Sequence, residues 1–200
     1  MEWALAVVLS YLIGSVSFSF LFGKIGKGID IRKHGSGNAG ATNTLRVLGL
    51  GPALLVLALD IGKGVLAVWI GKWIDPGNLW LAITAGFAVI VGHNWPVFFA
   101  FRGGKGIATT IGVVATLCFV PGVIAGSIGI LSIVFTRYVS LGSLLFTGLL
   151  PIALWLMQWE TELIIASLAI AVLAFYRHRG NIVKLVKGKE NKIAFRRSEG

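Results

Sequence analysis

Charged residues are scarce in this sequence, and cysteine is nearly absent. Only 13% of the 200 residues are charged, about half the fraction that is usual in a soluble domain. The one cysteine, Cys118, excludes a disulfide within the chain, and no Cys-x-x-Cys or Cys/His cluster indicates a zinc or iron–sulfur site. Hydrophobic residues make up 56% of the chain, and its mean hydropathy is +0.86. The composition therefore excludes a soluble protein and predicts one integral-membrane domain over residues 1–200.

Apolar runs predict an all-α fold, a polytopic membrane helical bundle with seven transmembrane segments. A straight span needs about 20 residues, and the third, fourth and fifth segments are shorter. They either borrow residues from the flanking loops or form half-helices, and a five-span arrangement remains an alternative. Both counts are odd, so the two termini are expected on opposite sides of the membrane. The segments are 3–23, 50–73, 79–91, 106–119, 122–136, 141–157 and 162–176.

The positions of lysine and arginine predict the orientation of the bundle. A net charge of +10 is also typical of nucleic-acid-binding proteins, but most of the basic residues lie in short segments between apolar runs. The acidic residues Glu2, Asp75, Glu160 and Glu162 lie on the alternate side, with Lys72. The positive-inside rule therefore places the N-terminus outside and the C-terminus in the cytoplasm, and nucleic acid is not an expected partner. The basic residues assigned to the cytoplasmic side are Lys24, Lys27, Arg32, Lys33, Arg46, Arg102, Lys105, Arg137, Arg177, Arg179, Lys184, Lys187, Lys189, Lys192, Arg196 and Arg197.

The first polar motif, here the first glycine loop (residues 35–46), follows the first apolar segment. Its residues 35–43 read GSGNAGATN, and Arg46 follows. Small residues let the backbone approach a ligand closely, and successive N–H groups in such a loop can form a nest for phosphate oxygens. Short polar side chains add hydrogen-bonding groups. A polar turn at the membrane interface is the alternative interpretation.

The second polar motif, the second glycine loop (residues 92–106), reads GHNWPVFFAFRGGKG. Glycines flank Lys105 just before an apolar helix, as in a phosphate loop, but the loop lacks the leading Gly and the Ser/Thr of a Walker A motif, so ATP is not implied. Its aromatic residues indicate either an interfacial belt or the wall of an acyl-chain groove. His93 by itself is more typical of a packed residue than of a catalyst.

The third polar motif, the tail motif (residues 177–190), begins Arg177-His178-Arg179-Gly180-Asn181. A basic stop after the last span, bound to anionic lipid headgroups, explains its lysines and arginines. It does not explain His178 and Asn181, which add directional hydrogen bonds. All three motifs fall on one predicted face, which indicates a pocket for small phosphorylated molecules.

Two ionisable residues, Asp60 and Lys63, lie inside the second apolar segment. Such groups are costly at membrane depth and are usually paired or functional. At a spacing of three residues they share one helix face and can pair with each other. The sequence leaves open whether the pair is structural or takes part in the site.

The motifs resemble those of the PlsY family, the acyl-phosphate:glycerol-3-phosphate acyltransferases of bacterial membranes. The resemblance rests on SGNxGATN at 36–43, GHNWPVFFxFRGGKG at 92–106 and RHxxNIxxLxxGxE at 177–190, with DxxKG at 60–64. These stretches cover about a quarter of the chain. The His-x-x-x-x-Asp pair of other glycerol-phosphate acyltransferases is missing, because none of His34, His93 and His178 is followed by an acidic residue at that spacing.

The resemblance implies a seven-span enzyme of the bacterial inner membrane with its active site facing the cytoplasm. It implies transfer of a fatty acyl group from acyl phosphate to the 1-hydroxyl of sn-glycerol 3-phosphate, the first acylation of phospholipid synthesis. The products are lysophosphatidate and inorganic phosphate. Membrane lipids are expected partners; no cofactor, metal or obligatory protein partner is expected, since Asp30 is the only acidic residue near the early loops. A transporter for a phosphorylated solute is the alternative, and a structural subunit that binds anionic lipid is a third.

The expected site residues come from all three motifs. Direct attack by the glycerol hydroxyl is expected, because no Ser-His-Asp set indicates an acyl-enzyme. The base is either His93 or a substrate phosphate, whose second pKa lies near ~6. The catalytic candidates are His93, Ser36 and Lys105, and the phosphate-binding candidates are Ser36, Asn38, Thr42, Asn43, Arg46, Gly103, Gly104, Lys105, His178 and Asn181.

Overall fold

The computed structural model describes residues 1–193, and this part of the chain is helical without β-strands. The all-α prediction is confirmed. The helices form two compact units that divide after Phe119. The first unit holds α1 (Glu2–Ser15), α2 (Phe18–Lys27), α3 (Ala41–Leu48), α4 (Leu50–Ile74), α5 (Leu79–Asn94) and α6 (Ile107–Leu117), with 3-10 turns at Ile31–Lys33 and Val97–Phe99. The second begins one residue into α7 (Phe119–Thr136) and also holds α8 (Val139–Leu156), α9 (Thr161–Arg177) and α10 (Arg179–Val186).

The first apolar segment is not one continuous helix. α1 ends at Ser15, the next two residues are extended, and α2 starts at Phe18. α2 in turn ends at Gly28, whose φ of 69° lies in the left-handed region that glycine adopts without strain. The Gly28 N–H donates to Lys24 O, the bond of an αL helix cap, and the Ile29 N–H donates to Gly23 O. The chain thereby leaves the helix and continues through the 3-10 turn Ile31–Lys33 to the first glycine loop.

Small residues bring the helices of the first unit into close backbone contact. Gly14 of α1 packs on the backbone of Val89 in α5, and Gly112 of α6 packs on the backbone of Ile61 in α4. Between lipid-exposed helices the hydrophobic effect gives little drive for association, so close packing of this kind holds the bundle together. These contacts set where the loops between the helices meet.

Within the second unit, glycines again mark the helix contacts. Gly129 of α7 lies against Gly142 of α8, and Gly148 of α8 faces the Phe175 ring of α9. A 65° bend separates α9 from α10. Arg137 in the α7–α8 turn accepts a backbone hydrogen bond from Ile193.

The surface of the described helices is apolar, as a bilayer requires. Phe135 is 82% exposed, Val172 71% and Trp155 67%, which is unusual for a soluble surface. Five helical stretches are long and apolar enough to cross a membrane, or up to six if α9 and α10 form one bent span. α6 is shorter. The chain is a multi-pass membrane protein; the seven-span count and the orientation stay predictions, and Arg196 and Arg197 lie outside the described residues.

Candidate active site

The first glycine loop is organised by one buried side chain, Asn43. Its Oδ1 accepts from the Ser36 N–H at 2.8 Å, and its Nδ2 donates to Ile31 O at 3.2 Å and His34 O at 3.0 Å. The side chain is fully buried. Asn43 therefore shapes the loop and leaves the side chains of Ser36 and Asn38 at its surface; the predicted phosphate contact of Asn43 remains a prediction.

Arg32, on the 3-10 turn just before the first glycine loop, bonds the second glycine loop. Its Nη1 donates to Phe99 O at 2.8 Å, and its guanidinium lies 4.8 Å from the centre of the Phe20 ring. Asp30 accepts from Arg32 Nε and Nη2 at 2.9 and 2.8 Å. The side-chain hydrogen bond from Arg32 lowers the pKa of Asp30 to about 2, and the same bond raises the pKa of Arg32. A planar, bidentate ion pair of this kind fixes the guanidinium in place.

Asp30→Asn should lower thermal stability at neutral pH by about 1–2 kcal/mol, because the Arg32 ion pair is only partly screened by solvent. The folded pKa of Asp30, about 2, lies below its ordinary value of 3.8. Its stabilisation is therefore present above pH 3.8 and is lost as the pH falls towards 2. Melting curves of the purified protein and the variant should differ at pH 7 and converge as the pH falls to about 2 and below. Glu2→Gln, at the exposed start of α1, is the control, and a gap that persisted at low pH would contradict the prediction.

The second glycine loop leaves α5 in a compact, strained path. Ala100 and Phe101 have φ values of 54° and 58°, a region that costs a residue with a side chain about 1 kcal/mol or more. The Tyr11 hydroxyl donates to Trp95 O at 2.8 Å, and the Gly104 N–H returns to His93 O at 3.1 Å. The loop is thus folded back over the end of α5.

The two glycine loops meet at Gly104. A Cβ built on Gly104 would lie 2.6 Å from Ala39 O and would collide with His93 Nε2. Ala39 lies just before α3 and Gly104 just before α6, so the N-termini of two helices approach this contact. Unpaired N–H groups and the positive ends of helix dipoles favour anions at such a place. Thr42 and Arg46 lie on α3, and Lys105 follows Gly104 directly.

A buried polar cluster lies behind this contact. Lys63 Nζ lies 2.8 Å from Asp60 Oδ1 and 2.8 Å from His93 Nδ1, and it also donates to Gly14 O and Val16 O, both at 3.1 Å. His93 Nδ1 is 3.4 Å from Asp60 Oδ1. The side chains of Asp60 and Lys63 are 2–3% exposed. The sequence predicted the pair within α4 but not its third member, because His93 is 30 residues away.

The tail motif lies in the second unit. His178 is 2% exposed and its Nδ1 lies 2.8 Å from Ala174 O. Because a carbonyl oxygen only accepts, this nitrogen carries a proton. Asn181 Nδ2 donates to Glu190 Oε1 at 2.8 Å. The phosphate contacts predicted for His178 and Asn181 remain predictions.

Of the residues predicted from the sequence, the structure brings together His93, Gly103 and Gly104, and it sets them against the first glycine loop. A Cβ on Gly103 would collide with His93 O. Sequence reasoning did not single out Arg32 and Asn43 as the residues that arrange these loops; the ion-pair spacing of Asp30 and Arg32 was the one available signal. Within residues 1–193, no three His, Cys, Asp or Glu side chains form a group that could hold a metal ion.

Comparison with known proteins identifies the relatives of this chain. A family model described as glycerol-3-phosphate acyltransferase matches residues 4–188. The glycerol-3-phosphate acyltransferase of Halalkalibacterium halodurans is 55% identical over 194 residues, 94% of either chain. That of Gloeobacter violaceus is 39% identical over 199 residues, 96% of this chain and 97% of the relative.

Solved structures agree with this result. The crystal structure of PlsY (YgiH), an integral membrane glycerol 3-phosphate acyltransferase, in its glycerol 3-phosphate form is 34% identical with a TM-score of 0.91, and the match covers 97% of this chain and 96% of that one. The lysophosphatidic acid form has a TM-score of 0.89. These matches confirm the resemblance that the three motifs indicated. The chain belongs to the glycerol-3-phosphate acyltransferase (PlsY) family of integral membrane enzymes.

Proposed function

We propose that this chain transfers a fatty acyl group from acyl phosphate to the 1-hydroxyl of sn-glycerol 3-phosphate. Its products are 1-acylglycerol 3-phosphate and inorganic phosphate. The observation that carries the proposal is the contact of Gly104 with Ala39 and His93, beside the N-termini of α3 and α6. The relatives crystallised as a glycerol 3-phosphate form and a lysophosphatidic acid form support the same acceptor and product.

The glycine loops are suited to hold phosphate groups. Arg46 and Lys105 supply positive charge, and Gly103 and Gly104, which carry no side chains, let a phosphate approach the backbone closely. Ser36, Asn38 and Thr42 add short hydrogen-bonding side chains. His178 and Asn181 are assigned the same role from the tail motif. Two phosphorylated reactants need more cationic groups than one, which favours acyl phosphate as the donor.

The reaction needs no covalent intermediate on the protein. The glycerol oxygen attacks the carbonyl carbon of acyl phosphate and a new ester bond forms. The bond from the carbonyl carbon to the phosphate oxygen breaks, and its electron pair leaves with the phosphate. The hydroxyl proton passes to that phosphate, since its second pKa lies near ~6. Lys105 and Ser36 stabilise the charge on the phosphate, so the protein contributes chiefly positioning and electrostatic stabilisation.

The membrane supplies the donor. The acyl chain enters laterally between the apolar helices, while the charged head reaches the glycine loops from the cytoplasm. This assignment places the enzyme in the bacterial inner membrane with its site on the cytoplasmic side. It rests on the distribution of lysine and arginine along the chain.

The test is a product assay on the protein reconstituted in vesicles with an acyl phosphate and labelled glycerol 3-phosphate. No coenzyme A or acyl carrier protein is added. We expect labelled lysophosphatidate and an equal amount of inorganic phosphate, unchanged by EDTA. Lys105→Met should lower the rate about 100-fold, whereas Lys33→Met, at an exposed lysine of the 3-10 turn, should not.

Three results would contradict the proposal. A requirement for acyl coenzyme A would exclude acyl phosphate as the direct donor. Loss of activity in EDTA would show that a metal ion takes part. Uptake of glycerol 3-phosphate into the vesicles without any acylated product would favour the transporter.

A further inference from the structure

The contacts within the cluster of Asp60, Lys63 and His93 indicate which of its atoms donate hydrogen bonds and which accept them. Lys63 Nζ donates to Gly14 O and Val16 O at 3.1 Å, and it lies 2.8 Å from His93 Nδ1 and 2.8 Å from Asp60 Oδ1, its ion-pair partner. A neutral amine has two N–H groups, enough for Gly14 O and Val16 O, but it would leave the buried Asp60 carboxylate without its ion-pair partner. An ammonium ion has three and stands beside a carboxylate. The ion pair with the buried Asp60 carboxylate therefore favours Lys63 as the ammonium ion.

The state of Lys63 decides the state of His93. An ammonium nitrogen has no lone pair, so at 2.8 Å from Nζ the Nδ1 atom of His93 must accept. The alternative, an Nδ1–H donating to Asp60 Oδ1, has the longer distance of 3.4 Å and would point a proton near the ammonium group. His93 is then a neutral imidazole whose proton is on Nε2. His178 is arranged in the opposite way, with its proton on Nδ1.

The Nε2 atom of His93 lies where the two glycine loops meet. It is the side-chain atom that a Cβ on Gly104 would strike, next to Ala39 O. An N–H at this position can donate to an oxygen that becomes negative during acyl transfer. It has no lone pair with which to take a proton from the glycerol hydroxyl.

We propose that Asp60 and Lys63 are positioning residues that hold His93 as a hydrogen-bond donor through Nε2. His93 then stabilises the oxyanion of the transferring acyl group, and it does not act as the general base. This inference rests on the function proposed above. Lys63 also satisfies Gly14 O and Val16 O at the break between α1 and α2, so the same ammonium group stabilises the break and orients the histidine.

Two amide substitutions at His93 test whether this residue acts as a hydrogen-bond donor or as a general base. The side-chain nitrogen of glutamine reaches the position of Nε2, whereas that of asparagine reaches only the position of Nδ1. In the lysophosphatidate assay, His93→Ala and His93→Asn should lower kcat about 100-fold or more, and His93→Gln should stay within about tenfold of the unaltered enzyme. If glutamine lost as much activity as alanine, the donor assignment would be overturned.

Nitrogen-15 NMR of histidine-labelled protein in nanodiscs tests the positioning role without any substrate. We expect His93 to show a protonated Nε2 and a hydrogen-bonded, unprotonated Nδ1 at neutral pH, assigned by its loss in His93→Gln. In the double variant Asp60→Leu with Lys63→Met, the Nδ1 resonance should move to the position of an unbonded nitrogen and the second tautomer should appear. Lys72→Met, which removes a lysine of the same helix that donates to Thr116 O, should leave the spectrum unchanged.

The NMR spectra test the state of His93 and the product assay tests the proposed function, so either one can be contradicted without the other. A protonated Nδ1 or an imidazolium ion in the unaltered protein would overturn the inference, and so would an unchanged His93 spectrum in the double variant. Absence of lysophosphatidate from the unaltered protein would overturn the proposed function alone, because the tautomer is read without turnover.

Discussion

Gly104→Ala should lower kcat/KM for acyl transfer about 100- to 1,000-fold while the protein still folds. The added methyl group would lie 2.6 Å from Ala39 O, a backbone atom, and would collide with His93 Nε2. The ring can rotate away only by giving up its position at the site, and Ala39 can move only with the first glycine loop. A displacement of about 1 Å at reacting groups costs on the order of 100-fold in rate.

The control for this prediction is Gly26→Ala near the end of α2. A Cβ at Gly26 meets no atom within 4 Å, so its rate should stay within about twofold of the unaltered enzyme. Initial rates of lysophosphatidate formation report on the active site, and a melting curve for each protein shows whether the variant is folded. A Gly104→Ala enzyme with a normal rate would show that the contact between the loops is not used in the reaction.

Lys63→Met should destabilise the folded protein by about 3–5 kcal/mol, the cost of leaving a buried charge without its partner. Asp60 would keep its carboxylate in a site where the side chain is 2% exposed. Gly14 O and Val16 O would also lose their donor. We expect a large fall in melting temperature in detergent and a low yield of folded protein.

Removing both charges should recover much of that loss. In the double variant with Asp60→Leu, two apolar side chains of similar volume replace the ion pair, an exchange that is often neutral. Lys72→Met should cost less than about 1 kcal/mol, since Lys72 is only half-buried. If the single Lys63→Met variant melted like the unaltered protein, the ammonium group would not stabilise the bundle.

Several local features followed from the sequence alone. Each of the seven apolar segments contains a helix, because a long apolar run in lipid must satisfy its own backbone hydrogen bonds. The short fourth segment was expected to fall below the length of a span, and α6 has 11 residues. The three polar motifs identified the family because their residue types and spacings are specific in combination.

The break in the first segment shows what the sequence could not predict. Residues 3–23 form one apolar run, and nothing local requires the helix to stop at Ser15. The freed carbonyl groups of Gly14 and Val16 are bonded by Lys63, which lies on a different helix. Likewise Asn43, predicted as a phosphate ligand, is held within its own loop by three hydrogen bonds that only the folded loop reveals.

By itself the sequence determined the membrane class, the helical segments and the family, because these depend on composition, run length and residue spacing along the chain. Tertiary structure alone decided that Lys63 reaches His93 and that Gly104 lies against Ala39. Those contacts join residues far apart in the chain, and they exist because glycines let the helices pack backbone against backbone. The direction in which His93 presents its proton is therefore a property of the folded bundle.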